Sequence, residues 1–174
     1  TLNGTNKTIT LGGVFSNYAG LFSVWNTTVN SLTFNGGGKS VLRWCGCLVS
    51  TDLANQFGNF TSVTVENFVL TNQNTSGFAG IGFGTTVTES VFNKCASTVT
   101  LNNGNTTGFC SNNCKNITVR NSYYSGTQSG NASSSSGFFH DFTSNITIEN
   151  SYCSINNTIT GPSNYFGGFM ASTG

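Results

Sequence analysis

The chain has 174 residues, of which six are basic and five acidic, so only 6% are charged and the net charge is +1. A soluble domain ordinarily carries about 25% charged residues. Nucleic-acid grips and polybasic membrane patches both need clustered cations, so this composition excludes them.

Polarity comes instead from Asn, Thr, Ser and Gly, which together exceed half of the chain. Leu, Ile, Val and Phe make up about a quarter, above the roughly 20% floor of disordered chains. Low net charge also argues against a self-repelling coil. Strand formers (Phe, Val, Thr, Tyr) outnumber Ala and Leu, and Pro162 is the one proline. The length suits a single domain over residues 1–174. No apolar run approaches the roughly 18 residues of a membrane span, and no signal peptide is read. The chain opens at Thr1 and is read as a mature or excised segment.

In chain order, the first strand-like segment is Thr8-Ile-Thr-Leu11. Gly20-Leu21-Phe22 follows, then Ser31-Leu-Thr-Phe-Asn35 and Ser62-Val-Thr-Val-Glu-Asn-Phe68. Gly77-Phe78-Ala-Gly80 precedes Thr86-Val-Thr-Glu-Ser-Val-Phe92. Gly108-Phe109 precedes Asn116-Ile-Thr-Val-Arg-Asn-Ser-Tyr123, and Gly137-Phe138-Phe139 precedes Asn145-Ile-Thr-Ile-Glu-Asn-Ser-Tyr152. Gly168-Phe169-Met170 opens a further unit. The repeat is therefore Gly-Phe, a short gap, an alternating I-T-V strand, a turn at Asn-Ser and a polar loop. Its length varies from about 23 to 31 residues.

Alternation places Ile117 and Val119 on one face and Thr118 and Arg120 on the other. One such strand cannot bury its apolar face alone, but stacked copies bury it together. The unit fits one coil of an all-β, parallel β-solenoid of about five to six irregular coils. At roughly 4.8 Å per coil the rod is about 25–30 Å long. Gly and Asn supply the corners.

Gly-Phe-x-Gly followed by Ile-Thr-x-x-Asn-Ser-Tyr resembles the GLUG-type repeat of large secreted adhesins and surface proteins. The likeness covers residues 77–170 well and residues 8–70 poorly. It implies an extracellular β-solenoid with a structural or adhesive role, and no catalytic residues to transfer. This chain is richer in sequons and cysteines than that family, which favours a eukaryotic, N-glycosylated relative. It also resembles the core of a glycosylated extracellular fibril.

Ten N-x-S/T sequons start at Asn3, Asn6, Asn26, Asn59, Asn74, Asn105, Asn116, Asn131, Asn145 and Asn156. Composition alone supplies several of them. A surface nearly without charge nevertheless needs another source of hydration, which N-glycans provide. Asn116 and Asn145 fall at equivalent points of neighbouring coils. Either their glycans crowd at one strand spacing or the bare side chains form an Asn ladder. The loop sequons at Asn74, Asn105, Asn131 and Asn156 are expected to be less crowded.

Cys45, Cys47, Cys95, Cys110, Cys114 and Cys153 make an even count that suits three disulfides in an oxidising compartment, with 15 pairings open. Zinc is disfavoured: Cys45-Gly-Cys47 and Cys110-Ser-Asn-Asn-Cys114 lack C-x-x-C spacing, and His140 is the sole histidine. No cofactor is expected.

Solenoids often act on polysaccharides with paired carboxylates. Glu66, Arg120 and Glu149 share the outward position after the I-T-V triplet, which reads as an Arg120–Glu149 ion pair between coils. The register of Glu89 is open, and Asp52 lies far off in sequence. His140 and Asp141, as strand neighbours, are expected to face opposite ways. Ser133 to Ser136 read as a loop without a nucleophile elbow. The Gly77–Gly84 stretch reads as a corner and not as a phosphate loop. Catalysis is therefore not expected. Tyr123, Tyr124, Tyr152, Tyr165, Trp25 and Trp44 offer either a sugar-stacking platform or core columns.

No capping helix is visible at either end, and open ends are exposed strand edges. Either the chain is a slice of a longer array, or copies stack end to end into a filament. The expected protein is a secreted, cell-surface, heavily N-glycosylated structural subunit whose partners are its own copies and its glycans. An adhesin or carbohydrate-binding module is the alternative.

Overall fold

Every strand pairing among the described residues is parallel, and none of these residues is helical. The computed structural model describes residues 1–13, 20–22, 27–41, 45–50, 56–71, 74–102, 104–130, 134–158 and 165–171. Trp25, Trp44, Asp52 and the sequons at Asn26 and Asn131 lie outside them.

The strands are β1 (Leu2–Thr10), β2 (Thr27–Val41), β3 (Gly58–Leu70), β4 (Thr75–Ser76), β5 (Ser90–Asn93), β6 (Ala96–Asn102) and β7 (Asn105–Thr107). They continue as β8 (Lys115–Arg120), β9 (Tyr123–Ser129), β10 (Ser134–Ser136), β11 (Ser144–Glu149), β12 (Tyr152–Asn157) and β13 (Tyr165–Gly167). Each coil contributes to three faces. On the first face β5, β8 and β11 stack in sequence order, and on the second β6, β9 and β12 do. The long strand β3 pairs with both β5 and β6, because β1, β2 and β3 each run through the corner where later coils break. The third face is the sheet of β4, β7, β10 and β13.

That first corner is a column of left-handed residues. Ser31, Ser62, Lys94, Asn121 and Asn150 have φ between 46° and 55°. Asn accepts this conformation readily, and Ser and Lys accept it at some cost. Beyond the third face, single bridges link Phe22, Val49, Ala79, Cys110, Phe139 and Met170 in one line. The steps along that line are 27 to 31 residues, so the coils are more uniform than the sequence repeat implies. The molecule is an all-β, parallel β-solenoid of about five turns.

Two of the sequence alignments shift. Ser62-Val-Thr-Val does not stack on Asn116-Ile-Thr-Val, because its Thr64–Leu70 part pairs with β6 on the second face. What lies above β8 is β5, and Ser90, not Val87, is in register with Ile117. Val87 is 88% exposed. Ser62 and Asn116 are both left-handed corner residues that open an alternating strand, so one local pattern serves two different corners. Ser134–Ser136, expected as loop, form the fully buried strand β10.

The interior explains the Gly-Phe signal. Phe78, Phe109, Phe138 and Phe169 form a ladder, with ring centroids 4.8, 4.6 and 5.2 Å apart and planes within 24° of parallel. Fully burying Phe78, Phe109 or Phe138 is worth about 1.5–3 kcal/mol each. The glycines before the first three rings, Gly77, Gly108 and Gly137, are set by close approach. A Cβ on Gly77 would lie 2.2 Å from the Gly108 carbonyl oxygen, and one on Gly108 would lie 2.2 Å from that of Gly137. Val49 is in register with Ala79, so Leu48 stands where later coils have Phe. Cys47-Leu48-Val49 is thus a further copy, hidden in the sequence because Cys replaces Gly.

Candidate assembly surface

Four columns run unbroken through six strand layers. Two are inward: Leu2–Val29–Phe60–Phe92–Val119–Ile148 on the first face, and Ile9–Phe34–Val65–Ser97–Tyr124–Cys153 on the second. Two are outward: Asn3–Asn30–Thr61–Asn93–Arg120–Glu149 and Thr8–Thr33–Thr64–Ala96–Tyr123–Tyr152. The central members of the inward columns are fully buried, whereas the outermost members are not. Val119 and Tyr124 are 0% exposed, while Ile148 and Cys153 one layer out are half-buried. At the opposite face Ile9 is 37% exposed above a fully buried Phe34.

The large exposed apolar side chains among the described residues are Ile9, Val87, Phe142, Tyr152, Phe169 and Met170. Val87 lies in a loop, and the other five lie in the first or last layer. Phe142 combines 76% exposure with φ of 58°, a conformation costly for a bulky side chain. One layer inward the same corner is held by Asn113.

Arg120 and Glu149 are in register as expected, but they form no ion pair among the described residues. Glu66 does not join them. It lies in the second-face column with Asn35 and Thr98, and Asn35 Nδ2 donates to its Oε1 at 2.7 Å. Glu89 is exposed and accepts a hydrogen bond from Thr118 Oγ1. The carboxylates are thus spread over separate columns.

His140 and Asp141, expected to diverge, come together because they sit on a turn and not on a strand. His140 Nδ1 is 3.4 Å from Asp141 Oδ2, and both side chains are buried. Burial lowers the His140 pKa, and the neighbouring Asp141 partly opposes that shift. The pair borders an open cavity of about 240 Å³ with Phe142, Thr143, Met170 and Ala171. Among the described residues no cluster of three His, Cys, Asp or Glu side chains has metal-binding geometry. No described helix is long and apolar enough to cross a membrane.

The three expected disulfides are not formed. The cysteines act as small apolar fillers of a stack, and burial raises the thiol pKa values of Cys47, Cys95, Cys110 and Cys153. Cys95 is pushed up to about 12 and donates weakly to the Phe60 carbonyl oxygen. Cys110 is raised by burial and by its neighbour Cys114, whose Sγ donates to the Ser111 carbonyl oxygen at 3.0 Å. Cys153, half-buried, is raised to about 11.

Of the described sequons, Asn3, Asn6, Asn59, Asn145 and Asn156 are exposed. Asn74 and Asn105 are half-buried beside the third-face sheet, and the Oδ1 of Asn74 is fully enclosed. Two of the sequons expected in loops lie on strands instead: Asn105 opens β7, and Asn156 is exposed on β12. Asn145 Nδ2 donates to Asn116 Oδ1 at 2.7 Å, so the side chains form a ladder step. Tyr123 and Tyr152 stack outward at 5.1 Å and 5°, and Tyr124 is a buried column member donating to the Val99 carbonyl oxygen. For Tyr165 only the backbone is described.

Scans against protein-family models, curated proteins and solved structures each return no match.

Proposed function

We propose that the chain is a non-catalytic structural subunit of a heavily N-glycosylated extracellular coat or filament, assembling end to end by strand stacking. One observation carries the reading: among the described residues, and apart from Val87, the large exposed apolar side chains lie in the first and last layers of the stack. The sides are polar and nearly uncharged, with an exposed sequon at Asn59, and the exposed sequons at Asn3, Asn6 and Asn156 lie on the end strands β1 and β12. Stacking of a further layer covers the open strand edges of such a rod. Glycans projecting outward from these sequon positions hydrate it. The resemblance to GLUG-type surface proteins points the same way.

The outward Tyr123–Tyr152 pair is the basis for a carbohydrate-binding alternative. Each ring already covers one face of the other, which leaves only the end face of Tyr152 for a sugar. Stacking of a further layer would cover that face, so the two readings compete for one surface.

Sedimentation velocity across a hundredfold range of concentration tests the proposal. Growth to long, polydisperse species supports it, and a constant monomer coefficient overturns it. Intact mass before and after glycosidase treatment of the natively sourced protein counts the glycans. An unchanged mass removes the glycoprotein part of the reading.

A further inference from the structure

We infer that a second copy adds to the β11/β12 edge through its own β1, in parallel and in one register: Leu2 over Ile148, Asn3 over Glu149, Thr8 over Tyr152 and Ile9 over Cys153. The inference rests on the end-to-end reading above and specifies its partner, polarity and register.

Column continuity is the first support. Each of the four columns begins on β1 and terminates on β11 or β12. Adding a copy in this register extends all four at once, inward residues onto inward residues. Half-buried Leu2 and Ile148 then gain the burial that Val29 and Val119 already have. The third face agrees, because the next member beyond Met170 is the Phe22 of the added copy, which starts that line. A shift by one residue would put Asn3 and Thr8 into the interior.

Polar complementarity is the second. Lys7 is the only charged side chain on β1, and Glu149 is the only one on β11 and β12. Lys7 is in register with Leu32 within the chain and in this junction falls over Ser151, across the corner from Glu149, so the two charges share the junction without standing opposite one another. Asn3 over Glu149 repeats an Asn–carboxylate step already present within the stack, where Asn35 donates to Glu66 at 2.7 Å. Asn3 faces outward, so a glycan there leaves the inward contacts clear. A like-to-like contact of β1 with β1 would instead be antiparallel and would bring two Lys7 side chains together. The head-to-tail contact does not close on itself, so it propagates.

The test is a cysteine pair, Thr8→Cys with Tyr152→Cys, at two exposed positions of one outward column. Within one chain these positions are five strand spacings apart, about 24 Å. A disulfide needs Cα atoms within about 7 Å, so any link must join two copies. Mild oxidation should give a ladder of covalent oligomers on a non-reducing gel. In a Cys153→Ser background, which removes the half-buried native thiol beside Tyr152, neither single substitution should give a ladder. Nor should Thr10→Cys with Tyr152→Cys, where the partners would lie about 8 Å apart. Circular dichroism checks that the variants keep the fold. A ladder from the Thr10 pair, or covalent dimers from Thr8→Cys alone, overturns the register. Filaments of the unsubstituted chain without a ladder from the Thr8 pair also overturn it, while leaving the end-to-end reading in place. Absence of both filaments and ladder overturns both.

Discussion

Phe109 stacks on Phe138 with ring centroids 4.6 Å apart and planes 15° from parallel, and this step is repeated above and below by Phe78 and Phe169. The ladder fixes the vertical alignment of successive coils from inside, because offset-parallel rings resist sliding by a residue. Phe109→Ala should therefore cost about 3–5 kcal/mol, read from denaturant unfolding. Phe109→Leu should cost clearly less, since Leu48 already holds the equivalent place. Equal losses for the two would mean that ring stacking, and not volume, carries the effect.

Glycine before the ring is the second structural demand, at Gly77, Gly108 and Gly137. A Cβ on Gly108 would meet the Gly137 carbonyl oxygen at 2.2 Å and Tyr124 Cδ2 at 2.3 Å. Gly108→Ala is expected to lose about 1–3 kcal/mol through forced displacement of the adjacent coil. Gly12→Ala, with nothing within 4 Å of the new atom, should stay within about 0.5 kcal/mol of the parent.

His140 sets a pH dependence. Burial holds its folded-state pKa below the ordinary value of about 6.5, so the unfolded chain binds the extra proton first. Its contribution to stability is complete above pH of about 6.5 and is lost as pH falls toward the folded-state value. Unfolding free energy measured between pH 7.5 and 5 should drop, and His140→Leu should flatten that drop. An unchanged slope in the variant would assign the pH dependence to the carboxylates.

The thiols report on burial. Cys153 is half-buried, whereas the other five cysteines are buried, and Cys95 is held at a pKa of about 12. A maleimide at pH 8 should modify Cys153 first in the native protein. All six should react after unfolding without reductant. Fewer than six would show that disulfides form in the purified chain.

The solenoid was legible in the sequence because stacking demands the same residue at the same place. Gly-Phe and I-T-V recur for that reason, and Asn116 and Asn145 do sit one above the other. The register of the first half was not legible. Leu32 and Val63 open strands after a left-handed residue just as Ile117 does, although they lie on the second face. Alternation records inside against outside, and both faces alternate alike. The copy at Cys47-Leu48-Val49 was hidden because a buried thiol can stand in place of glycine. The end surface needed three dimensions: Ile9, Phe142, Tyr152 and Met170 are far apart in sequence, and only the stacked layers show that they occupy the ends. The His140–Asp141 contact was missed because a turn, not a strand, carries it.

Cryo-electron microscopy of the purified 174-residue chain tests the central claim most directly. The account predicts unbranched filaments in which copies repeat every six strand layers, about 29 Å, with continuous parallel strands across each junction. Discrete single rods that stay monodisperse at high concentration, with uncovered β1 and β11 edges, would contradict it.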